Sequence, residues 1–232
     1  MDFFKTNVRV FETGTTMELA KTISNFVRLP LLVVADIQTS ARGQFGRKWD
    51  SQIGGLWFTE AFQVNSPLGL STFMSIPILR SIKRIGDDLP VKIKWPNDIL
   101  LSGKKVAGIL IEIVDKIAFV GIGINVENNV HIELLSIATN LKSHVNITKE
   151  HFLEIFLEEQ NKVLPVFLEK GFSAFKEEYD KYLIFINSKV KVKVENEIIE
   201  GEAIGVGDSG ELKILTNQRI LDITYGTVIS YK

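Results

Sequence analysis

Two short apolar runs, residues 108–113 (GILIEI) and 117–124 (IAFVGIGI), are separated only by Val114 and the polar pair Asp115-Lys116. The first run alternates loosely with period two, and residues 91–95 (VKIKW) alternate clearly. This patterning predicts strands of one sheet with Asp115-Lys116 at a hairpin tip. Residues 31–35 form a continuous apolar run ahead of the polar, glycine-bearing stretch 36–46, as expected of a buried strand feeding a functional loop. Residues 55–62 predict another strand. Helical spacing marks residues 15–27, with Leu19, Ala20, Ile23, Phe26 and Val27 on one face. It also marks residues 70–85, where Pro77 is an awkward member. A long helical stretch runs from an N-cap at Thr148 through Tyr182, with Phe152, Ile155, Phe156, Val163 and Phe167 in period and Pro165 expected to kink it. The fold class read from this order is α+β, a mixed β-sheet with helices.

The character changes near Asn187. Val190, Val192 and Val194 alternate, and short apolar runs punctuated by Gly207-Asp208-Ser209-Gly210 and Tyr225-Gly226 follow to the end. That pattern predicts a small SH3-like β-barrel over 187–232 after an α/β domain over 1–186. The barrel holds six basic and seven acidic residues, fewer cations than a nucleic-acid-binding barrel usually carries.

Composition excludes several classes. Hydrophobic residues make up 45% of the 232 and charged residues 24%, so a sizeable core is available and neither disorder nor a fibrous repeat is expected. A net charge of −1 gives no global drive toward nucleic acid or anionic lipid. The longest stretch free of Asp, Glu, Lys and Arg, residues 61–79, contains Pro67, Pro77, Gly69, Gln63 and Asn65 and is unsuited to span a bilayer. The opening segment, MDFFKTNVRVFE, lacks the apolar region and cleavage site of a secretory signal. With no cysteine there are no disulfides, iron–sulfur clusters or thiolate zinc sites. These traits fit a soluble, cytoplasmic enzyme or binding domain.

Familiar catalytic motifs are missing. There is no G-x-x-x-x-G-K-[ST] loop, no G-x-S-x-G elbow and no H-E-x-x-H pair. Gly121-Ile122-Gly123 begins a dinucleotide fingerprint, but Val126 occupies its sixth position. His131, His144 and His151 are too scattered for a metal site and are expected at the surface.

Two segments do not read as core. Residues 42–48 (RGQFGRK) hold two glycines and three cations next to Trp49. Glycines let a backbone approach an anion and guanidinium forks match carboxylate or phosphate oxygens, although a solvated basic loop has the same composition. The second segment is Lys94-Trp95-Pro96-Asn97-Asp98, followed by Lys104-Lys105-Val106-Ala107-Gly108. From Arg80 to Val106 there are seven basic and three acidic residues. Such an excess suits a polyphosphate, with Asp98 the one carboxylate placed for Mg²⁺; a polar turn beside an exposed basic helix face is the alternative.

Together these residues resemble the biotin protein ligase family, in its short type without an N-terminal helix-turn-helix domain. RGQFGRKW, KWPND, KVAGILIE and GIGINV match that family's glycine–arginine loop and three strand motifs, in order and at family-like spacing, and Glu12-Thr13-Gly14-Thr15-Thr16-Met17 stands where the family has E-x-x-S-T-N. The resemblance implies that Thr15, Thr16 and Gln38 bond the ureido ring of biotin, with Met17 in the same pocket. It implies that Arg42, Gly43 and Gln44 close over the biotin carboxylate and the adenylate. Arg47 and Trp49 match phosphate-binding and adenine- or pocket-lining positions, and Arg42, Arg47 and Lys105 form the catalytic set. Gly108, Gly123 and Asn125 match strand positions lining the site, while Asn97 and Asp98 match its nucleotide and Mg²⁺ end. For Trp49 and Trp95, ligand contact competes with core packing; Ile109, Ile111 and Ile113 are expected in the core.

The implied reaction joins biotin to ATP as biotinyl-5′-AMP and then passes biotin to one lysine of a biotin carboxyl carrier protein. Biotin, ATP and Mg²⁺ are the expected ligands, with no prosthetic group, no nucleic acid and no membrane; homodimerisation is left open. Three positions depart from the family: Gln44 for arginine, Ala41 for glycine and Met17 for asparagine. A lipoate or octanoate ligase on the same fold is the nearest rival, disfavoured by Gln38 and the GRKW segment. A non-catalytic biotin sensor is the second, and the short segment from Asp2 to Val10 leaves no room for the DNA-binding domain such regulators usually carry.

Overall fold

The computed structural model describes residues 3–217 and 219–231; Met1 and Asp2 of the opening segment, and Gln218 and Lys232 of the expected barrel, lie outside the described residues. The first unit runs β1 (Thr6–Thr13), α1 (Thr16–Ser24), β2 (Leu31–Gln38), β3 (Leu56–Gln63), α2 (Leu70–Phe73), α3 (Ser75–Ile85), β4 (Val91–Lys94), β5 (Asp98–Leu101), β6 (Lys104–Val114), β7 (Ile117–Ile124), α4 (Lys149–Lys170) and α5 (Lys176–Tyr182). Its strands form one seven-stranded sheet in the order β1-β2-β3-β7-β6-β5-β4. Only β1 and β2 pair in parallel, so the sheet is mixed as expected. The hairpin tip is where the pattern put it: Asp115 and Lys116 both adopt positive φ, 48° and 64°, which the tightest hairpin turns require.

Alternation on β3 separates the two faces of the sheet. Phe58 and Phe62 enter the main core, where Phe58 meets Phe156 of α4 edge-on at 5.2 Å. Glu60 lies on this same face, fully buried, and accepts a hydrogen bond from Gln160 Nε2 at 2.5 Å. Burial pushes the Glu60 carboxyl up to about 8, with the Gln160 bond opposing in part. Ala61 points the other way, into a smaller core under α1 with Met17, Ala20, Leu31, Val33 and Phe119.

Four expectations are corrected. The helix expected over 70–85 is two helices, α2 and α3, broken at Met74. Pro77 has no N–H to give Phe73, and restarting the helix at Ser75 puts it in the first turn, where none is needed. The long helix after Thr148 stops at Lys170, where Gly171 takes φ 73°, and a 3₁₀ turn leads into α5. Phe26 is 85% exposed because α1 ends at Ser24. Ile113 is exposed because β5 pairs only with the first half of β6, leaving Ile113 beyond its cover.

The second unit comprises β8 (Ser188–Val194), β9 (Glu197–Val206), β10 (Leu212–Leu215), β11 (Ile220–Ile223) and β12 (Thr227–Tyr231). They form an antiparallel five-stranded sheet in the order β11-β10-β9-β8-β12. Val190, Val192, Val206 and Val228 belong to the same continuous core as the first unit. Trp95 pins the two together: it is buried and its Nε1 donates to the Gly210 carbonyl at 2.9 Å, so this tryptophan packs in the core.

Candidate active site

A cleft of about 920 Å³ crosses the open face of the seven-stranded sheet. Its lining visits the strands in spatial order: Gln38 at the end of β2, Thr59 on β3, Gly121 and Gly123 on β7, Lys105 and Gly108 on β6, Asp98 on β5 and Lys94 on β4. Every residue to which the resemblance gives a site role borders it, including Thr15, Thr16, Met17, Arg42, Gly43, Gln44, Arg47, Trp49, Asn97 and Asn125. Residues from the start of α1, the 42–49 loop and six strands thus converge on one space.

One end is a closed set of neutral polar groups. Thr15 caps α1, its hydroxyl accepting from Glu18 N at 2.9 Å, which sets Thr16 in the first turn facing β2. The Thr16 amide and hydroxyl both donate to Gln38 Oε1, at 2.8 and 3.1 Å. With its proton so used, the Thr16 hydroxyl accepts from Thr59 Oγ1 at 2.8 Å. Gln38 Nε2 donates to Ser51 Oγ at 3.1 Å, and its second hydrogen has no protein acceptor among the described residues. Met17 is buried beside this cluster; a Cβ on Gly121 would lie 2.9 Å from Met17 Cε, so that glycine makes room for the thioether.

The middle is an aromatic floor. Gly108 and Gly123 sit opposite each other on β6 and β7. A Cβ on Gly123 would come within 2.7 Å of Trp49 Nε1, and one on Gly108 within 3.1 Å of Trp49 Cζ3. The missing side chains therefore let the indole lie against the sheet. Trp49 also meets Trp57 edge-on at 6.4 Å, and its buried Nε1 has no protein acceptor among the described residues. Trp49 N donates to the Ala41 carbonyl and Gly43 N to the Arg47 carbonyl, which folds the loop back on itself. Ala41 is buried and lies outside the left-handed region, so the departure from glycine costs no backbone strain.

The far end is ionic. Lys105 Nζ stands 2.5 Å from Asp98 Oδ1 and 4.9 Å from the Trp49 ring centre. Arg42, Arg47, Lys48 and Lys94 border the cleft, and none has a carboxylate within ion-pair distance among the described residues. Arg47 Nη2 instead donates to Thr227 Oγ1 of β12 at 3.4 Å, bringing the second sheet to the rim. Burial holds the Lys94 amine below its ordinary value; Asp98 opposes this and Lys105 and Arg47 add to it. The asparagines are spent on architecture: Asn97 Nδ2 donates to the Ile109 carbonyl, and Asn125 bridges the Thr139 carbonyl and Asn128. His131, His144 and His151 are exposed, as expected. Among the described residues no three His, Cys, Asp or Glu side chains are grouped to hold a metal, and no helix is long and apolar enough to cross a membrane.

Sequence reading missed Thr59, Ser51 and the rim from β12. Thr59 had a readable signal, a hydroxyl on the β3 face opposite Phe58 and Phe62. Thr227 had none, because only the packing of the two sheets brings it to Arg47.

Residues 10–129 match the model of the Biotin/lipoate A/B protein ligase family, and residues 185–230 match that of the Biotin protein ligase C terminal domain. The bifunctional ligase/repressor BirA of Bacillus subtilis is 33% identical over 207 residues, covering 83% of this chain and 63% of the relative. Its Escherichia coli counterpart is 28% identical, with 86% and 65% covered, so the chain spans just under two thirds of these relatives. Among solved structures, a biotin protein ligase from Aquifex aeolicus in complex with biotin and ATP superposes with a TM-score of 0.89 at 31% identity, covering 99% of both chains. A Leishmania major biotin protein ligase, at 21% identity and a TM-score of 0.69, shares the fold. With more than half of its length matched to the family model, and with the glycine–arginine loop and Lys105 set around one cleft, the chain belongs to the biotin/lipoate A/B protein ligase family.

Proposed function

We propose that the cleft activates biotin with ATP and transfers it to a lysine of a biotin carboxyl carrier protein, making this chain an ATP-dependent biotin–protein ligase. The observation that carries this reading is the pairing, within one cleft, of the Thr16–Gln38–Thr59–Ser51 cluster with the cationic end at Lys105. A ureido ring is neutral and needs both donors and acceptors, which that cluster offers. A dithiolane or alkyl head from lipoate or octanoate would leave the same groups unpaired, a strong basis for rejection. A sensor that only bound biotin would need no cluster of uncompensated cations beyond it.

In the first step a biotin carboxylate oxygen attacks the α-phosphorus of ATP, forming a P–O bond as the bond to pyrophosphate breaks. Two anions must meet, so charge neutralisation and alignment are the tasks left to the protein. Lys105, held by Asp98, sits where the carboxylate and α-phosphate would converge. Arg42 and Arg47 close from the loop, with Gly43 and Gln44 covering the adenylate and Trp49 offering a flat surface for adenine. Asp98 would offer one carboxylate to a Mg²⁺ ion accompanying the triphosphate, which would help neutralise its charge. In the second step a carrier lysine amine attacks the acyl carbonyl, AMP departs and the amine loses its proton. No nucleophile of the enzyme is required. Residues 1–186 would bind biotin and ATP, and residues 187–232 would complete the rim through Thr227. A cytoplasmic setting accords with the ATP requirement and the cysteine-free chain.

The test is biotin-dependent release of pyrophosphate from ATP, followed by labelling of a carrier domain. Release without biotin dependence contradicts the reading.

A further inference from the structure

The main chain at Lys105 is held by two different neighbours. On one side β5 pairs with it irregularly: Ile99 faces Ala107 and Leu100 faces Lys105, which leaves Val106 as an extra residue in β6. Such a bulge bends a strand and re-aims the side chains beside it. On the other side β7 last pairs with β6 at Ile124 and Ala107, so it stops short of Lys105. Residues 137–139 take its place there, in a parallel bridge between Lys105 and Ala138. Lys105 N donates to the Ile137 carbonyl at 2.8 Å, and Thr139 N donates to the Lys105 carbonyl at 2.9 Å.

Two asparagine side chains fasten this short bridge. Val126 N can only donate, and it donates to Asn128 Oδ1 at 3.1 Å. The Asn128 amide is thereby oriented, and its Nδ2 donates to Asn125 Oδ1 at 3.0 Å. Asn125 is left with its own Nδ2, which donates to the Thr139 carbonyl at 3.1 Å. The relay starts on a main-chain donor and ends on a main-chain acceptor, so each amide has a single orientation that satisfies it. Asn140 Nδ2 adds a bond to the Asn128 carbonyl at 2.9 Å. Asn125 and Asn128 are both buried, where an unpaired amide group is costly. Resting on the ligase reading, in which Lys105 meets the carboxylate and the α-phosphate, we infer that Asn128 is a positioning residue for the first half-reaction: by fixing which way the Asn125 amide faces, it holds residues 137–139 against β6 and so sets the placement of the Lys105 ammonium.

Asn128→Asp isolates this role. The carboxylate still accepts from Val126 N, yet it has no hydrogen to give Asn125. Asn125 must then turn its Nδ2 toward the carboxylate and its Oδ1 toward the Thr139 carbonyl, where two acceptors meet. Biotin-dependent pyrophosphate release should fall roughly 10- to 100-fold, the cost of misplacing a catalytic group by ~1 Å or less. The same substitution made in Lys105→Ala should cost less than about threefold, because the group it positions is gone. Asn128→Ala introduces no charge and should show the same non-additivity if the aspartate variant does not fold. Wild-type release from a folded variant overturns the inference. So does an equal loss with and without Lys105, which would make Asn128 merely structural. Either result leaves the ligase reading standing. A wild-type protein that releases no pyrophosphate with biotin sinks the ligase reading instead, and amide hydrogen exchange then decides the inference separately. In Asn128→Asp the Lys105 and Thr139 amides should exchange at least about tenfold faster than in wild type, while the β6–β7 ladder beyond Ala107 keeps its rates. Unchanged exchange at Lys105 and Thr139 overturns the inference.

Discussion

Asp98 and Lys105 come from neighbouring strands and meet at 2.5 Å, with the Trp49 ring 4.9 Å from the same ammonium. The carboxylate and the ring fix the direction of a side chain that would otherwise be free at the cleft surface. Replacing Lys105 by Ala should leave the fold intact and lower adenylation roughly 10²- to 10³-fold, the effect of deleting one preorganised charge. Circular dichroism and pyrophosphate release check both halves of the statement. A folded variant with near wild-type release would remove Lys105 from the mechanism.

Gly123→Ala tests the aromatic floor. The new methyl would fall 2.7 to 3.1 Å from three indole atoms of Trp49, so the ring must lift, whereas the strand backbone tolerates alanine. Adenylation should drop roughly 10- to 100-fold from this small misplacement, with tryptophan emission altered and Tm shifted by only a few degrees. Unchanged emission with an unchanged rate would show that Trp49 does not rest on Gly123.

Thr16, Gln38, Gly108, Gly123 and Lys105 were legible through the family motifs in or beside which they stand; composition by itself marked only the 42–49 and 94–108 segments as unlike core. Ser51 was not legible, since a lone hydroxyl beside a strand carries no signal until the fold brings it to Gln38, and Thr59 was overlooked although its face of β3 marked it. Boundaries failed for physical reasons too: Pro77 is compatible with a helix only in a first turn, so residues 70–85 divide at Met74. Ile113 has the right periodicity for a core residue and lacks only a partner strand long enough to cover it.

Gln44 lines the cleft where the resembling family has arginine. An arginine there would add a charge-assisted bond to the adenylate phosphate, on the order of 1–2 kcal/mol beyond a neutral one. Gln44→Arg should therefore slow dissociation of preformed biotinyl-AMP by about one decade. Stopped-flow displacement at a single salt concentration measures it. Rates within a factor of two of each other would mean that Arg42 and Arg47 already hold the phosphate.

Glu60 gives the fold a pH dependence. Its ordinary value of 4.5 is raised to about 8 in the folded chain, so the native state holds the proton more tightly than the unfolded state. This stabilisation is complete below pH 4.5, declines as pH rises and is gone above about 8. Glu60→Gln keeps an acceptor for Gln160 and removes the titration. Stability curves of the two proteins should run together near pH 4.5 and separate with rising pH, the variant ending a few kcal/mol more stable at about 1.4 kcal/mol per pKa unit. Parallel curves from pH 4.5 to pH 9 would show that Glu60 does not carry the proton.

Incubating the protein with ATP and Mg²⁺, and with either biotin or lipoate, tests the assignment of the cleft most directly. The Thr16–Gln38–Thr59–Ser51 cluster should make pyrophosphate release depend on biotin, with lipoate slower by roughly 10²-fold or more because it leaves those groups unpaired. Equal or faster release with lipoate would contradict the assignment and make this chain a lipoate ligase on the same fold.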